Sequence, residues 1–186
     1  MALTRFKKLL PHATTRTQTT FSEVLDALTS GSASLGVLPI EDAREGRLLR
    51  LAEQLEGREI EVLLTADVTA TDGNTVRFAL LSHEAFADTC RILLKEKLTQ
   101  STAELILECA VLEVGGNALL ETLAVAAECG LVLRRTDARP APYRQDGFFT
   151  YPTFKCPCED TSLFEAYLTL FLPRTVIAAR YYHIIT

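Results

Sequence analysis

Glu41 and Asp42 close the apolar run Leu35-Gly36-Val37-Leu38-Pro39-Ile40, and Arg77 stands in a second strand-like run from Thr75 to Leu81. Two carboxylates do general acid/base work when their surroundings push their pKa values apart, and a guanidinium grips a substrate carboxylate through paired N–H groups. Thr75 adds a hydroxyl close by. Each group also has a plainer reading. Adjacent carboxylates are more often solvated than paired for chemistry, and a lone strand arginine more often meets a nearby acid; at Arg77 the plainer reading is preferred. His12, His83 and His183 are dispersed and form no ligand pattern. In Cys156-Pro157-Cys158 one residue separates the thiols, where zinc sites use two to four, and no second pair follows, so the segment reads as a turn and no metal site is expected. The chain's 5 cysteines make a poor disulfide framework, and Cys90, Cys109 and Cys129 read as core thiols.

The elements that must carry these residues follow from periodicity. Thr20 and Glu23 form a capping box opening a helix whose apolar face is Phe21, Val24, Leu25 and Leu28, with Gly31 as the stop. Residues 35–40 read as a buried strand ended near Pro39. Residues 46–56 read as a second helix, with Leu48, Leu51, Ala52 and Leu55 inward. Ile60 to Leu64 and Thr75 to Leu81 are strands around the turn Asp72-Gly73-Asn74. A helix from about Ser82 to Lys97 covers Phe86, Cys90, Leu93, Leu94 and Lys97. A polar stretch, residues 97–102, is the candidate linker between modules at 1–97 and 103–186.

Beyond it the pattern is strand, helix, strand, strand, helix, strand. Leu105 to Glu113 leads into a helix from Asn117 to Glu128, with Leu119, Leu120, Leu123 and Ala127 inward. Leu131 to Arg135 and Phe148 to Phe154 come next. Asp160 caps a helix burying Leu163, Phe164, Tyr167, Leu168 and Phe171, and Thr175 to Ile184 closes the sheet. This is the ferredoxin-like split βαβ order, which by itself names no function.

Composition bounds the class. The chain has 186 residues, 48% of them hydrophobic and 23% charged, which describes a globular chain; its length allows two compact modules or one padded one, and two small ones are expected. A net charge of -5 argues against a nucleic-acid partner. No stretch approaches the roughly 20 apolar residues of a membrane span. The first ten residues lack the apolar core of a secretory signal, so a cytoplasmic location is expected.

Gly36-Val37-Leu38-Pro39-Ile40-Glu41-Asp42-Ala43-Arg44-Glu45-Gly46 resembles the prephenate dehydratase signature Gly-Val-(Val/Leu)-Pro-Ile-Glu-Asn-Ser-x-x-Gly. Asn74-Thr75-Val76-Arg77-Phe78 is similar to the family's Thr-Arg-Phe segment. Asn117-Ala118-Leu119 and Asp137-Ala138-Arg139-Pro140 resemble the Gly-Ala-Leu and Glu-Ser-Arg-Pro motifs of its C-terminal ACT domain. The four stand in the family's order, and the resemblance covers residues 20–184.

That resemblance implies a reduced prephenate-dehydratase-like α/β lobe followed by a βαββαβ ACT domain. It implies Glu41, Asp42, Thr75 and Arg77 as the remnant of the catalytic set. Asn117, Ala118, Leu119, Asp137, Ala138, Arg139 and Pro140 become the ligand-binding set, with phenylalanine as effector, a homodimer as the assembly and no cofactor. Two departures imply that catalysis is lost. The family's proton-donating Thr is Val76, which donates nothing, and the interval from Glu41 to Arg77 is too short for the family's second lobe. The alternative is an active dehydratase whose cleft a partner chain completes.

Overall fold

The computed structural model describes residues 2–44, 46–47, 55, 58–98, 103–141 and 147–185. They fall into two compact units, Met1–Ala103 with Tyr182–Thr186, and Glu104–Tyr181. Helices and strands mix in both, so the chain is a mixed α/β protein. Of the chain's end, residues 182–185 belong to the first unit. Of the stretch read as a linker, residues 99–102 lie outside the described residues.

The first unit holds helices α1 (Ala2–Leu9), α2 (Phe21–Thr29) and α3 (Glu84–Lys95). Its strands are β1 (Leu35–Asp42), β2 (Gly46–Arg47), β3 (Ile60–Thr69) and β4 (Thr75–His83). Their order is β2-β1-β4-β3, antiparallel throughout. The end of β8 (Thr175–Ile184) then pairs in parallel with β3, Leu64 opposite Tyr182 and Ala66 opposite Ile184. Phe6, Leu63, Leu64, Ala66, Leu80, Ala87 and Leu94 form the core, with Tyr182 and Ile184 packed against it.

Local chemistry accounts for the ends of these elements. Thr20 Oγ1 accepts from Glu23 N–H at 3.2 Å, and the Glu23 carboxylate accepts in return from Thr20 N–H at 3.2 Å and Thr19 N–H at 2.8 Å. The Thr19 and Thr20 bonds hold the Glu23 carboxyl below its usual range. Gly31, at φ +70°, ends α2 in the left-handed region that favours glycine. Gly36 lies close under α2: a Cβ there would stand 2.9 Å from Val24 Cγ1 and 3.0 Å from Leu28 Cδ1, so those side chains would have to shift. At the head of α3, His83 is taken up as the cap, its Nδ1 accepting from Ala85 N–H at 3.2 Å.

Several expectations need correction. β1 does not stop at Pro39 but runs on to Asp42, because a register shift between Pro39 and Glu41 absorbs the proline as a bulge. Gly46–Arg47 is a short strand, and apart from helical Leu55 the helix expected over 46–56 lies outside the described residues. α3 begins at Glu84 and buries Ala87 and Leu94, leaving Phe86 and Leu93 exposed. Phe21 of α2 is exposed as well.

The second unit is built from β5 (Ala103–Val114), α4 (Ala118–Glu128), β6 (Val132–Pro140), β7 (Gly147–Cys156), α5 (Ser162–Phe171) and most of β8. The strand order β8-β5-β7-β6 is that of a split βαβ sheet. Leu105, Leu107, Cys109, Val111, Phe154, Phe164 and Leu168 are its buried centre. The faces of both helices differ from the expected ones. α4 turns Ala118, Thr122 and Ala126 inward, small residues that permit close approach, while Leu120 is exposed. α5 buries Phe164 and Leu168, and Leu163 and Phe171 face outward. Thr161, not Asp160, is its N-cap, although Asp160 Oδ1 still accepts from Ser162 N–H at 3.0 Å. Both helices are apolar on more than one side, so periodicity alone did not fix the buried stripe.

Candidate functional site

Four strands of the first unit bring charges into one transverse row. Arg77 of β4 lies opposite Glu41 of β1 on one side and Asp67 of β3 on the other. Its Nε and Nη2 donate to Asp67 Oδ1 and Oδ2 at 2.7 and 3.0 Å, and its Nη1 donates to Glu41 Oε2 at 3.4 Å. On the far side of β3, His183 Nδ1 lies 2.9 Å from Thr65 Oγ1, and His183 Nε2 lies 3.8 Å from Asp67 Oδ2. All the charged members are half-buried, Arg77 being 36% exposed and Asp67 23%.

One bulge brings Glu41 into the row. In β1 the shift between Pro39 and Glu41 leaves Ile40 without an opposite residue, and an unshifted register would put Ile40 opposite Arg77 and Glu41 on the wrong face. A second shift, between Val62 and Leu64 in β3, lies beyond Asp67 as seen from the hairpin turn and leaves the Asp67–Arg77 pairing unaffected. Asp67, Thr65 and His183 were not anticipated from the sequence. A signal for Asp67 existed: it and Arg77 are equidistant from Asp72 in the hairpin turn, so a hairpin centred there pairs them.

The row's chemistry is limited by its own contacts. Arg77 has its N–H groups on two carboxylates, so a substrate carboxylate must displace one of them. Thr65, His183 and Asp67 have the outline of a hydrolytic triad, but Thr65 is 1% exposed and offers no nucleophile to solvent. Thr75 shares the face of Arg77, with Oγ1 3.0 Å from Thr69 Oγ1, whereas Val76 between them faces the other way. Asp42 holds a turn. Its Oδ1 accepts from Arg44 N–H and its Oδ2 from Asn74 Nδ2, both at 2.8 Å, while Arg44 pairs with Asp72 at 3.1 Å.

In the second unit, Asn117 caps α4 with no side-chain bond. The Leu119 N–H, a free donor at a helix start, is taken by the Glu113 carboxylate. Ala118 is buried and Leu119 half-buried. In β6, the outer strand, Asp137 pairs with Arg135 at 3.0 Å, and Arg139 lies over the Tyr151 ring at 5.0 Å. Ala138 and Pro140 are exposed. Glu113, Phe148 and Pro140 are register partners across β5, β7 and β6, so both motifs lie at one end of this sheet. Cys156 is buried and Cys158 exposed, and burial pushes the thiols of Cys109 and Cys156 up to about 12 and about 11.

This arrangement belongs to the mixed α/β fold of prephenate dehydratase structures. The chain is similar to the X-ray structure of prephenate dehydratase from Streptococcus mutans, with a TM-score of 0.70 and 19% identity over 97% of this chain and 91% of that one. It is similar also to GqqA, described as a novel type of quorum quenching acylase, with a TM-score of 0.67 and 17% identity over 97% and 87%. A third likeness is to prephenate dehydratase from Arthrobacter aurescens in complex with L-Phe, with a TM-score of 0.60 and 14% identity over 92% and 82%. Identities this low establish a common fold and nothing finer. No protein family's sequence profile and no curated protein matches the chain. Among the described residues, no helix is long and apolar enough to cross a membrane.

Proposed function

We propose that this protein is a prephenate-dehydratase-related regulator of aromatic amino acid metabolism that no longer performs the dehydration. The observation that carries the reading is the closure of Arg77 on Asp67 and Glu41. Val76 at the proton donor's position supports it, because a hydrocarbon side chain is no general acid. A substrate carboxylate would have to displace Asp67 or Glu41 from Arg77 before it could be bound.

In this reading the second unit is an ACT-type module that pairs with a second copy and binds an amino acid, phenylalanine foremost. The L-Phe complex of the Arthrobacter aurescens protein supports the ligand. The outer strand β6, with exposed Val132 and Leu133, and the exposed Leu120 support the pairing. At the head of α4 the ligand carboxylate would have to displace Glu113 or use another donor.

One experiment with two arms tests the proposal. Prephenate is incubated with the protein and phenylpyruvate is followed; no turnover above the uncatalysed rate is expected. Turnover typical of enzymes that Arg77→Ala abolishes would overturn the loss of catalysis. Thermal melts with each amino acid form the second arm. A bound ligand at a hundredfold excess over its Kd stabilises the native state by about 2.7 kcal/mol, raising Tm by several degrees. No shift with any amino acid at millimolar concentration would remove the sensing role.

A further inference from the structure

We propose that Asp67 determines the specificity of the first unit by closing Arg77 to ligand carboxylates, and that without the Asp67 charge this row takes a small monocarboxylate. This rests on the reading of the row as closed. Asp67 accepts from Nε and Nη2 at 2.7 and 3.0 Å, the two-pronged geometry in which a guanidinium receives a free carboxylate. Glu41 accepts from Nη1 at the longer distance of 3.4 Å. Asp67 is thus the internal competitor, and Glu41 the weaker neighbour.

The competition is unequal because Asp67 and Arg77 are opposite each other in one antiparallel hairpin. A carboxylate tethered in place has an effective concentration that no free ligand at millimolar levels matches. The guanidinium is still within reach of solvent, since Arg77 is 36% exposed. The groups facing it are Glu41 from β1, Asp67 and Thr65 from β3, Thr75 on its own strand, and His183 from β8. With Asn in place of Asp67 the volume is kept and a carbonyl acceptor remains, but the two-pronged charged contact is lost and the guanidinium fork is opened to a ligand carboxylate.

Benzoate is titrated by calorimetry into the full chain, into Asp67→Asn and into Asp67→Asn/Arg77→Gln. Charge-assisted bonds are roughly twice as strong as neutral ones, so a gain of about tenfold in affinity is expected in Asp67→Asn, and its loss in the double variant. Equal affinity in the unaltered chain and Asp67→Asn, or a gain that survives Arg77→Gln, overturns the proposal. Should Asp67→Asn lose its cooperative melt, Asp67→Ser carries the same comparison with the same two outcomes. Prephenate turnover is a separate readout on the unaltered chain, so this inference and the functional reading fail separately.

Discussion

Arg77 in the first unit and Arg135 in the second are both strand arginines paired with an aspartate, yet their surroundings differ. Arg77 has strands on both sides and reaches across the sheet, its partners fixed by the register of β1 and β3. Arg135 lies on the outer strand and pairs along it, with Asp137 two residues further on and each 36% exposed. The pair types are the same. Place in the sheet decides whether an ion pair reaches across strands or runs along one, and the cross-strand arginine shares its guanidinium between two carboxylates.

The largest effect should come from the terminal end of β8, which completes the sheet around the Arg77 row. Tyr182→Ala/Ile184→Ala removes two side chains packed against the first core. Both are half-buried, so about 2–4 kcal/mol should be lost and Tm should fall by about 5–15 °C in a circular dichroism melt. A loss under about 1 kcal/mol would detach this segment from the first unit. Next, Arg77→Ala leaves Asp67 and Glu41 without their shared cation and should cost about 1–3 kcal/mol by urea denaturation, whereas Asp137→Ala should stay within about 0.5 kcal/mol. Equal losses at the two sites would break the comparison.

A smaller, pH-dependent effect sharpens it. In the second unit, burial works against the charge of Glu104, but hydrogen bonds from Lys155 and Arg134 outweigh it and hold the carboxyl below its usual range. A carboxyl lowered on folding stabilises above its unfolded pKa of about 4.3, and the contribution is lost as pH falls through the lowered value. Glu104→Gln should therefore cost about 1 kcal/mol at neutral pH and nothing at the acid end, where the two stability curves converge. Parallel curves down to the acid limit would exclude Glu104 as the cause.

Local signals were the legible ones. The box at Thr20 and Glu23, the stop at Gly31 and the hairpin turn at Asp72 each depend on a few neighbouring residues, and each appears in the structure. Strands follow from alternation in the same way. The buried stripes of α3, α4 and α5 were not legible, because Leu120, Leu163 and Phe171 give a helix several apolar sides and only the sheet beneath selects one. Of the candidate site, Arg77, Glu41, Asp42 and Thr75 could be named, while their partners could not. Glu41 meets Arg77 by way of a bulge that leaves no mark in residue type, and His183 arrives on a strand from the far end of the chain, whereas Asp67 had a signal in its symmetry with Arg77 about the turn.

The bulge in β1 also bears on how the row could be gained or lost. It is a single residue out of phase, and it works like a frameshift within a strand: everything beyond it is read on the opposite face. Deleting Ile40 would carry Glu41 away from Arg77 with both side chains still in the sequence. Conversely, one inserted residue in an ordinary strand would suffice to bring Glu41 into the row. Relatives that keep Glu41 and Arg77 but differ by one residue between 36 and 41 would then carry the same residues in a dismantled row, so strand length, rather than residue identity, is the trait to compare among them.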